Sequence, residues 1–385
     1  MHSARFVIVG GGLSGLYAAA LLEQQGMNDY LLIEARDTLG GRILSLQASE
    51  NTVRSSGTAS GTVDRVDLGP TWFWPAYHRQ LDSLIHALRL ERFAQHDAGE
   101  MIAERTATAA PLRIRGFPEA PTAMRLKGGM GALIEALLAR VDASRIITGQ
   151  TVRRIHIADH SIEVESCDAS GGITNMRAAH VLLALPSRLA SETIDFSPAL
   201  PPQLIQQWRA TPTWMAAHAK YVAVYDTPFW RTDGLSGEAR SAVGPLSEIH
   251  DATMPGGSAA LFGFFGIPAR TRSNVTQSDL RALCRAQLAR LFGPQAAAPQ
   301  RDFIKDWAID PLTATTADLE SGLGHHAVAP ARAALAYPWK GRMTGIASEW
   351  SPNFPGYVAG AIDAARLGIA SLQDLGRNVS IPLEP

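Results

Sequence analysis

A glycine-rich turn between an apolar strand and a helix constrains the fold of this 385-residue chain more than any other feature. Residues 6–9 form a continuous apolar run, as expected for a strand buried on both faces of a parallel sheet. Gly10, Gly12 and Gly15 follow at the G-x-G-x-x-G spacing, and residues 13–22 form an Ala- and Leu-rich helical segment. The pattern predicts a strand, a tight turn and a helix of the kind that binds dinucleotides.

Each part of this unit has a physical purpose in such a site. The first glycine permits the tight turn, the second lets main chain approach a pyrophosphate, and the third allows close packing of helix on strand. The helix N-terminus, with Leu13 and Ser14, presents N–H groups to the phosphates. A second strand over 30–33 leads to Glu34, nineteen residues after Gly15, which is placed to accept hydrogen bonds from ribose hydroxyls. The alternative is a plain β-turn-α unit without a nucleotide, since Gly-rich turns are common.

A second glycine pair follows the acid. The chain continues through Ala35 and Arg36 to Gly40-Gly41-Arg42. A Gly-Gly-Arg here is similar to the second half of the FAD signature in glutathione-reductase-like flavoproteins. The glycines would bring main chain near the pyrophosphate, and Arg42 would add a charge-assisted contact. The other interpretation is that these residues only turn the chain into the next strand.

Composition argues against several classes of protein. The formal net charge is -1 and no block of like charge occurs, so we expect no nucleic-acid partner. The two cysteines, Cys167 and Cys284, form no Cys-x-x-Cys pair. The pair His325-His326 has no Cys or carboxylate cluster around it, so we expect no metal site. No apolar run approaches 18 residues and no secretory signal is visible, so we expect a cytoplasmic protein without a membrane anchor.

The rest of the chain suggests two domains. Short strands around 151–157, 161–166 and 180–185 would complete the nucleotide domain, and the pattern changes after Pro198. Strands at 220–225, 260–265 and 303–308, with a helix over 279–292, suggest a separate domain. We therefore predict an α/β fold with a Rossmann-like FAD-binding domain of the glutathione-reductase type and a second, α+β substrate domain. The predicted bounds are 1–76, 126–196 and 337–385 for the first and 77–125 and 197–336 for the second.

Several segments together resemble the flavin-containing amine oxidase family, which includes monoamine and polyamine oxidases. The resemblance spans most of the chain in matching order. Its motifs are the nucleotide turn with Gly41-Arg42, Asp67-Leu68-Gly69, Gly128-Gly129-Met130, residues 181–186, Lys220 with Phe229-Trp230, Trp307, residues 346–350 and residues 355–361. In the family the closing segment, here residues 346–350 leading to 355–361, includes a Glu that contacts the ribityl-phosphate chain and a helix N-terminus facing the flavin ring, where the helix dipole stabilises negative charge.

The resemblance implies a non-covalently bound FAD, an amine substrate and O2 as partners. The oligomeric state is not implied. The residues expected to bind the cofactor are Gly10, Gly12, Leu13, Ser14, Gly15, Glu34, Ala35, Arg36, Gly41, Arg42, Gly69, Pro70, Thr71, Trp72, Val152, Trp307, Ser348, Glu349, Gly356, Tyr357 and Val358.

Two residues are expected to be catalytic. In the family, a Lys at the position of Lys220 holds a water near flavin N5 and assists the reaction with oxygen, where a buried cation stabilises developing negative charge. From its strand alone, the favoured interpretation of Lys220 is a solvent-facing residue on an edge strand. Tyr357 stands where the family has one wall of an aromatic cage around the substrate amine. With Tyr357, the residues Trp72, Trp74, Phe262 and Phe264 are expected to line the pocket, although core packing explains any one of them as well.

Two departures from the family pattern occur at residues 313–317. Where some members have a Cys that bonds the flavin, this chain has Thr313-Ala314-Thr315-Thr316-Ala317, which is why a non-covalent FAD is expected. Ala317 stands where the second cage tyrosine would be, so another residue, such as Tyr337 or Trp339, would have to close the cage. An amino acid substrate would need an Arg for its carboxylate, with Arg113, Arg115 and Arg125 as candidates.

The implied reaction is hydride transfer from the amine-bearing carbon to flavin N5, which gives an imine, followed by reoxidation by O2 to H2O2. The cofactor supplies the chemistry and the protein supplies position, a dry pocket and electrostatics. Two alternatives stay open: an FAD-dependent desaturase or dehydrogenase of a non-amine substrate that uses another electron acceptor, and a flavin-binding protein without turnover. Formation of peroxide would distinguish an amine oxidase from the first alternative. Bleaching of the flavin by amines without oxygen would distinguish it from the second.

Overall fold

The structure is a computed structural model that describes residues 2–49, 64–116, 120–159, 161–320 and 328–378. The adjacent His325 and His326, considered above as a metal site, lie outside these ranges. Within them, the helices are each too short or too polar to cross a bilayer.

The described strands follow in chain order. They are β1 His2–Val9, β2 Tyr30–Ile33, β3 Ser45–Gln47, β4 Arg65–Asp67, β5 Arg92–Ala94, β6 Glu100–Glu104, β7 Leu112–Arg115, β8 Met124–Leu126, β9 Ile146–Ile147, β10 Thr151–Ala158, β11 Ser161–Cys167, β12 Ile173–Leu183, β13 Asp195–Ser197, β14 Ala219–Tyr225, β15 Leu235–Ser241, β16 Leu246–Asp251, β17 Ala259–Phe265, β18 Arg301–Asp306 and β19 Met343–Gly345.

The described helices are interspersed with them. They are α1 Leu13–Gln24, α2 Arg79–Ala87, α3 Gly131–Leu138, α4 Ser187–Thr193, α5 Pro202–Ala210, α6 Phe229–Thr232, α7 Ala269–Arg272, α8 Gln277–Phe292, α9 Thr316–Glu320 and α10 Val358–Asn378, with short 3-10 helices at Ala143–Arg145, Pro294–Ala297, Trp307–Ile309 and Ser348–Trp350.

The chain divides into two compact units, and each of them is assembled from separated segments. Unit 1 comprises residues 1–42, 134–215 and 311–385, and unit 2 comprises residues 43–133 and 216–310.

Unit 1 is built on a sheet in the order β13-β10-β11-β12-β1-β2-β9, with β19 added beside β12. Strands β12, β1, β2 and β9 are parallel, as the two predicted strands joined by α1 require. Val7 and Leu183 from this sheet are fully buried and share a core with Trp208 and Trp350. The predicted strand–turn–helix–strand unit and the Rossmann-like fold class are thereby confirmed.

Unit 2 is built on a sheet in the order β18-β14-β17-β16-β15-β6-β7. It is antiparallel except where β15 meets β6. Strand β14 is buried along its whole length and sends alternate side chains to opposite faces. Tyr221 and Ala223 pack under α8, whereas Val222 and Val224 pack with Phe262 on the other face.

The two units divide the chain at other residues than the predicted domains. Residues 43–76, expected with the FAD-binding domain, belong to unit 2, because Val66 and Leu68 pack with Val222 of the second sheet. Residues 126–133 also belong to unit 2, while 197–215 and 311–336 belong to unit 1. Packing is a different criterion from cofactor contact, so the assignment of residues to FAD binding stays a prediction.

Candidate functional site

The glycine-rich turn lies at the carboxyl end of β1 in unit 1. Gly10 has a φ of +110°, and a Cβ added there would lie 2.7 Å from the Ala184 carbonyl oxygen. A Cβ on Gly15 would lie 1.9 Å from the Gly10 carbonyl oxygen, so α1 packs on the turn because Gly15 has no side chain. At Gly12 an added Cβ would meet nothing closer than the Gly40 carbonyl oxygen at 3.8 Å. The fold therefore requires Gly10 and Gly15, whereas the main chain at Gly12 is open to approach.

Glu34 is buried at the end of β2 and its carboxylate is tied to two main-chain donors. The N–H of Gly11 donates to Oε2 at 2.6 Å, and the N–H of Arg36 donates to Oε1 at 2.8 Å. Each carboxylate oxygen can accept a further hydrogen bond. Glu34 is thus held beside the glycine-rich turn, and its carboxylate can still accept hydrogen bonds from ribose hydroxyls.

The second glycine pair packs directly against the first turn. The N–H of Gly40 donates to the Gly11 carbonyl oxygen at 2.9 Å, and Gly40 forms an isolated bridge with Gly12. Gly41 has a φ of +57°, and a Cβ there would lie 3.3 Å from the Gly12 Cα. Gly40 and Gly41 therefore belong to the same main-chain cradle as Gly12, besides turning the chain toward β3.

Arg42 makes a bidentate ion pair that the sequence did not predict. Its guanidinium donates to the two carboxylate oxygens of Glu349 at 2.5 and 3.0 Å and to Oγ of Ser348 at 3.1 Å. The Glu349 side chain is 2% exposed. Burial raises the pKa of Glu349, but the Arg42 charge together with the hydrogen bonds from Arg42, the main chain and Ser348 outweighs burial and holds that pKa below its usual value. The expected phosphate contact of Arg42 and the expected ribityl contact of Glu349 stay predictions, while the residues hold each other in place.

The C-terminal motif positions the start of α10 in unit 1. Gly356 has a φ of +82°, and a Cβ there would lie 2.4 Å from the Trp214 Cβ. The N–H of Gly356 donates to the Ser348 carbonyl oxygen at 3.1 Å, and Val358 begins the helix. Ser14 at the start of α1 donates its hydroxyl to the Ile346 carbonyl oxygen. The main chain that precedes α10 is thus bonded to the N-terminal turn of α1.

The residues around the first turn fit the ADP half of a dinucleotide. Helix α1 begins after Gly12, which offers no side-chain hydrogen bond to the first turn. The N–H groups of Leu13, Ser14 and Gly15 have no intrahelical acceptor, as at any helix start, and suit phosphate oxygens. With Glu34 beside them for a ribose, the donors and the acceptor are those that such a ligand needs.

Tyr357 contacts an aromatic residue that the sequence analysis did not consider. The ring centroids of Tyr357 and Trp214 are 6.2 Å apart, and the planes are tilted by 32°. Of the two residues suggested to close the cage, Tyr337 is 85% exposed, and Trp339 is fully buried with its indole N–H on the Pro198 carbonyl oxygen. Trp339 is therefore committed to the core of unit 1, and Trp214 is the aromatic neighbour of Tyr357.

The segment at 313–317 is anchored in unit 1. Thr313 is 1% exposed and its hydroxyl accepts a hydrogen bond from Arg36 at 3.2 Å. Thr315 donates to Asp318, which pairs with Arg188 at 2.7 Å with both side chains buried. The stretch without the cysteine is thus a well-held part of the fold.

Lys220 is buried on an interior strand of the unit 2 sheet, next to the edge strand β18. Its strand β14 is paired on both sides, with β17 and β18, so the edge-strand alternative is wrong. The residue is 2% exposed. Its ammonium donates to the carbonyl oxygens of Asp67 at 3.2 Å and Gly69 at 2.7 Å, and to the Thr71 hydroxyl at 2.8 Å.

The surroundings of Lys220 lower the pKa of its ammonium group. Burial lowers the pKa of the Lys220 ammonium, the Asp67 charge raises it and the Arg125 charge lowers it, and together they bring it to about 7. The ammonium also lies 4.3 Å from the Phe262 ring centroid and 5.3 Å from that of Phe264. Lys220 is therefore a buried cation that can lose its charge near neutral pH.

Three of the predicted pocket residues of unit 2 form one aromatic cluster. The Trp72 ring centroid lies 5.2 Å from that of Phe262 and 6.4 Å from that of Phe264. His250, which the sequence analysis did not consider, stacks on Phe262 at 5.4 Å and bonds Glu248 at 2.7 Å. Trp74 does not share these ring contacts and instead lies 5.8 Å from His78.

The remaining predicted cofactor residues lie in ordinary structural positions. Trp307 donates its indole N–H to the Leu68 carbonyl oxygen at 3.2 Å in unit 2, next to the segment that holds Lys220. Val152 is the second residue of β10 and is part of the core of unit 1. Ala35 and Pro70 are only partly buried. No contact of these four residues by itself indicates a ligand.

Sequence reasoning missed Ser45, Trp214, Glu248 and His250, and it considered Arg125 only as a partner for a substrate carboxylate. Glu248 and His250 share a face of the unit 2 sheet with Phe264 and Phe262, their register partners. Strand alternation would reveal this face only if the pairing of β16 with β17 were already known.

Comparison with known proteins identifies the family. Residues 96–368 match the family described as flavin containing amine oxidoreductase. Residues 8–88 match an NAD(P)-binding Rossmann-like domain. Together these matches include segments of both unit 1 and unit 2.

Individual relatives agree with this assignment. A probable flavin-containing monoamine oxidase A of Dictyostelium discoideum is 26% identical over 250 residues, which is 62% of this chain and 51% of the relative. Putrescine oxidase of Kocuria rosea is 29% identical over 271 residues, 66% of this chain and 53% of the relative. The chain thus spans about half the length of these curated relatives.

A solved structure shares the fold over nearly the whole chain. A putrescine oxidase variant superposes with a TM-score of 0.77 at 19% identity, covering 97% of this chain and 99% of that chain. The cofactor of the family is FAD, which agrees with the cradle at Gly12 and Glu34. The chain belongs to the flavin-containing amine oxidoreductase family.

Proposed function

We propose that this chain is an FAD-dependent amine oxidase that converts an amine to an imine, with O2 as the electron acceptor and H2O2 as product. The imine then hydrolyses to an aldehyde or ketone plus ammonia or a smaller amine. The observation that carries the proposal is the family match over residues 96–368, which includes the buried Lys220 and the motif around Glu349.

Residues of unit 1 would hold the cofactor. The N–H groups at the start of α1 would bind the pyrophosphate, and Glu34 would accept from the ribose. The Arg42–Glu349 ion pair, with 2.5 Å between Nη1 and Oε1, would support the second glycine turn and the approach to α10. FAD, when bound, supplies the acceptor for the two electrons and the hydrogen that leave the amine carbon.

The protein's own groups would act on the amine through environment rather than through a strong base. A neutral amine forms the C=N bond with its own lone pair as the hydride departs, so no side chain must remove a proton from carbon. The cluster of Trp72, Phe262 and Phe264 offers an apolar surface that excludes water and favours the neutral amine over the ammonium form. Tyr357 beside Trp214 is the corresponding aromatic surface of unit 1.

We assign Lys220 to the reaction with oxygen. Its three hydrogen-bond partners hold the ammonium in one place, and its burial leaves the charge little screened. A fixed cation in such surroundings stabilises negative charge that develops on reduced oxygen.

An anaerobic reduction screen tests the proposal. The purified yellow protein is mixed without oxygen with monoamines, diamines including putrescine, polyamines and amino acids, and flavin bleaching is recorded. The relatives named for monoamines and putrescine set the range of the panel. Bleaching by at least one amine, followed by peroxide formation on adding air, is expected. Bleaching without peroxide would favour a dehydrogenase, and no bleaching with any amine would overturn the proposal.

A further inference from the structure

The hydrogen-bond partners of Lys220 all come from one short segment. Two are main-chain carbonyl oxygens, of Asp67 and Gly69, and the third is the Thr71 hydroxyl. A charged lysine has three N–H donors, so these acceptors use all of them. A neutral amine has two donors and one lone pair. The carbonyl oxygens can only accept, but the Thr71 hydroxyl can turn and donate, so the same partners satisfy both forms of Lys220.

A buried carboxylate belongs to the same segment. Asp67 is 7% exposed, and its Oδ1 accepts from the Ser45 hydroxyl at 2.5 Å and from the Met130 N–H at 3.0 Å. Its side chain is thus fixed independently of Lys220, while its main-chain oxygen is a partner of Lys220. Burial raises the pKa of Asp67, and the Ser45 hydrogen bond and the Lys220 and Arg125 charges oppose that rise.

The other charged groups around Lys220 favour proton loss or are neutralised. Arg125 is 2% exposed and donates to the carbonyl oxygens of Ala252 and Thr253 at 2.8 and 3.1 Å. Within the described residues its Nε has no hydrogen-bond partner. Lys305 is the register partner of Lys220 on β18, and it is paired with Asp310 at 2.6 Å. On the other side, Phe264 separates Lys220 from Glu248, which is bonded to His250 and Arg240.

We propose that Asp67 is the positioning residue that keeps Lys220 charged, because its main-chain oxygen accepts from the Lys220 ammonium at 3.2 Å and its buried, hydrogen-bonded carboxylate belongs to the same segment, and that the buried Arg125 cation opposes it. The functional consequence rests on the proposed function, because the charge of Lys220 matters there for the reaction with oxygen. The titration itself is a property of unit 2 and needs no substrate.

The composition of the chain allows a direct measurement. The sequence contains four lysines, Lys127, Lys220, Lys305 and Lys340. Labelling the FAD-loaded protein with lysine enriched in 13C at Cε therefore gives four NMR signals, and Lys220→Met identifies the one that belongs to Lys220. Titration of that signal in wild-type protein is expected to show a midpoint near neutral pH.

Two variants with opposite expected signs test the proposal. Asp67→Asn keeps an acceptor for Ser45 and Met130 but removes the charge, and it is expected to lower the Lys220 midpoint by about one pH unit or more. Arg125→Gln removes the opposing cation and is expected to raise the midpoint. As a matched control, Asp310→Asn removes a carboxylate that pairs with Lys305 instead, and should leave the Lys220 midpoint unchanged.

The measured Lys220 midpoints decide whether Asp67 and Arg125 act on Lys220 with opposite signs. An unchanged or raised Lys220 midpoint in folded Asp67→Asn overturns the proposal, and if that variant does not fold, an unchanged or lowered midpoint in Arg125→Gln does so. The pH profile of flavin reoxidation should shift by the same amount as the NMR midpoint. If no amine reduces the flavin, the proposed function fails while the NMR titration still decides the role of Asp67.

Discussion

Lys220 shows how one residue can combine burial with charge. With its three donors engaged by the 67–71 segment, its ammonium is held in position by the protein's own groups. Lys220→Met removes the cation and keeps a similar volume. We expect reoxidation of the reduced flavin by oxygen to slow by about tenfold or more, since one preorganised electrostatic group commonly contributes that much. Anaerobic reduction by the amine should change little.

Stopped-flow measurement of the two half-reactions checks this prediction. Lys340→Met is the matched control, because it makes the same substitution at an exposed lysine and should leave both rates near the wild-type values. If Lys220→Met slows both half-reactions equally, Lys220 has no specific part in the reaction with oxygen.

The same residue predicts a pH dependence with a definite sign. Its folded pKa is about 7, below the ordinary value of a lysine, so Lys220 is charged below that pH and neutral above it. Acceleration by the charge should therefore be largest below pH 7 and decline as the pH rises through about 7. Reoxidation rates recorded from about pH 5.5 to 9 should show this decline in wild-type protein and a flat profile in Lys220→Met. A wild-type profile without a step in this range would contradict the prediction.

The Arg42–Glu349 ion pair has a stability consequence. Glu349→Gln leaves the Arg42 guanidinium without its carboxylate, and we expect a loss of about 3 kcal/mol in the free energy of unfolding at pH 7, the lower end for broken buried pairs because Arg42 is 26% exposed. The folded pKa of Glu349 lies below its unfolded value. Its contribution is therefore fully present above about pH 4.3 and is lost as the pH falls through the folded pKa.

Urea denaturation at several pH values measures the effect. The difference between Glu349→Gln and wild type should narrow as the pH falls below about 4.3. Asp195→Asn, which breaks the exposed pair with Arg154, is the control and should cost less than about 1 kcal/mol. Equal losses in the free energy of unfolding of the two variants at pH 7 would show that the buried ion pair contributes no more to stability than an exposed one.

At the scale of elements, different glycines of the turn between β1 and α1 are needed for folding and for binding. A Cβ on Gly15 would lie 1.9 Å from the Gly10 carbonyl oxygen, whereas one on Gly12 would keep 3.8 Å from its nearest neighbour. We expect Gly15→Ala to destabilise the FAD-free protein by roughly 1–3 kcal/mol through overpacking. Gly12→Ala should leave that stability within about 0.5 kcal/mol but weaken FAD binding at least about tenfold, because the methyl group stands where the pyrophosphate approaches.

Thermal unfolding of FAD-free protein and calorimetric titration with FAD measure the two effects separately. The two alanine variants serve as controls for each other, since they add the same methyl group three residues apart. Tight FAD binding by Gly12→Ala would show that the pyrophosphate does not approach this turn.

The sequence predicted individual strands and helices better than the contacts between elements that are far apart in the chain. Strands β1, β2, β14 and β17 and helices α1 and α8 are confirmed, because apolar runs and helical spacing are local properties. The burial of Lys220 could not be predicted, since it depends on β17 and β18 lying on both sides of β14. The Arg42–Glu349 pair joins residues 307 positions apart, and no spacing rule indicates such a contact.

At the scale of the whole molecule, the repeated passage of the chain between the two units explains why the predicted bounds differ. Each unit is assembled from separated segments, with crossings next to residues 42, 133, 215 and 310. The change of pattern after Pro198 lies about seventeen residues before residue 215, where the chain passes from unit 1 to unit 2. The chain stays in unit 1 until then, because Trp208 still packs in the core of that unit. Such bounds depend on contacts between distant segments, which composition does not record.

FAD binding should be visible as a stabilisation centred on unit 1. The cradle at Gly12, the acid Glu34 and the Arg42–Glu349 pair all lie in that unit. With free FAD at about 100 times its Kd, the folded state should gain about 2.7 kcal/mol. Hydrogen–deuterium exchange is therefore expected to slow on FAD addition at residues 10–16 and 34–42. The Gly12→Ala variant, whose FAD-free stability is expected to be unchanged, should show little slowing at the same FAD concentration.

The same sample tests how the flavin is attached. Since the chain has no cysteine in residues 313–317, where some family members have the one that bonds the flavin, acid precipitation should release all flavin into the supernatant as FAD. Yellow colour that stays with the precipitated chain would contradict non-covalent binding. Slowed exchange outside residues 10–16 and 34–42, with these segments unaffected, would instead contradict the placement of the ADP half, because a ligand protects first the main-chain N–H groups that it binds.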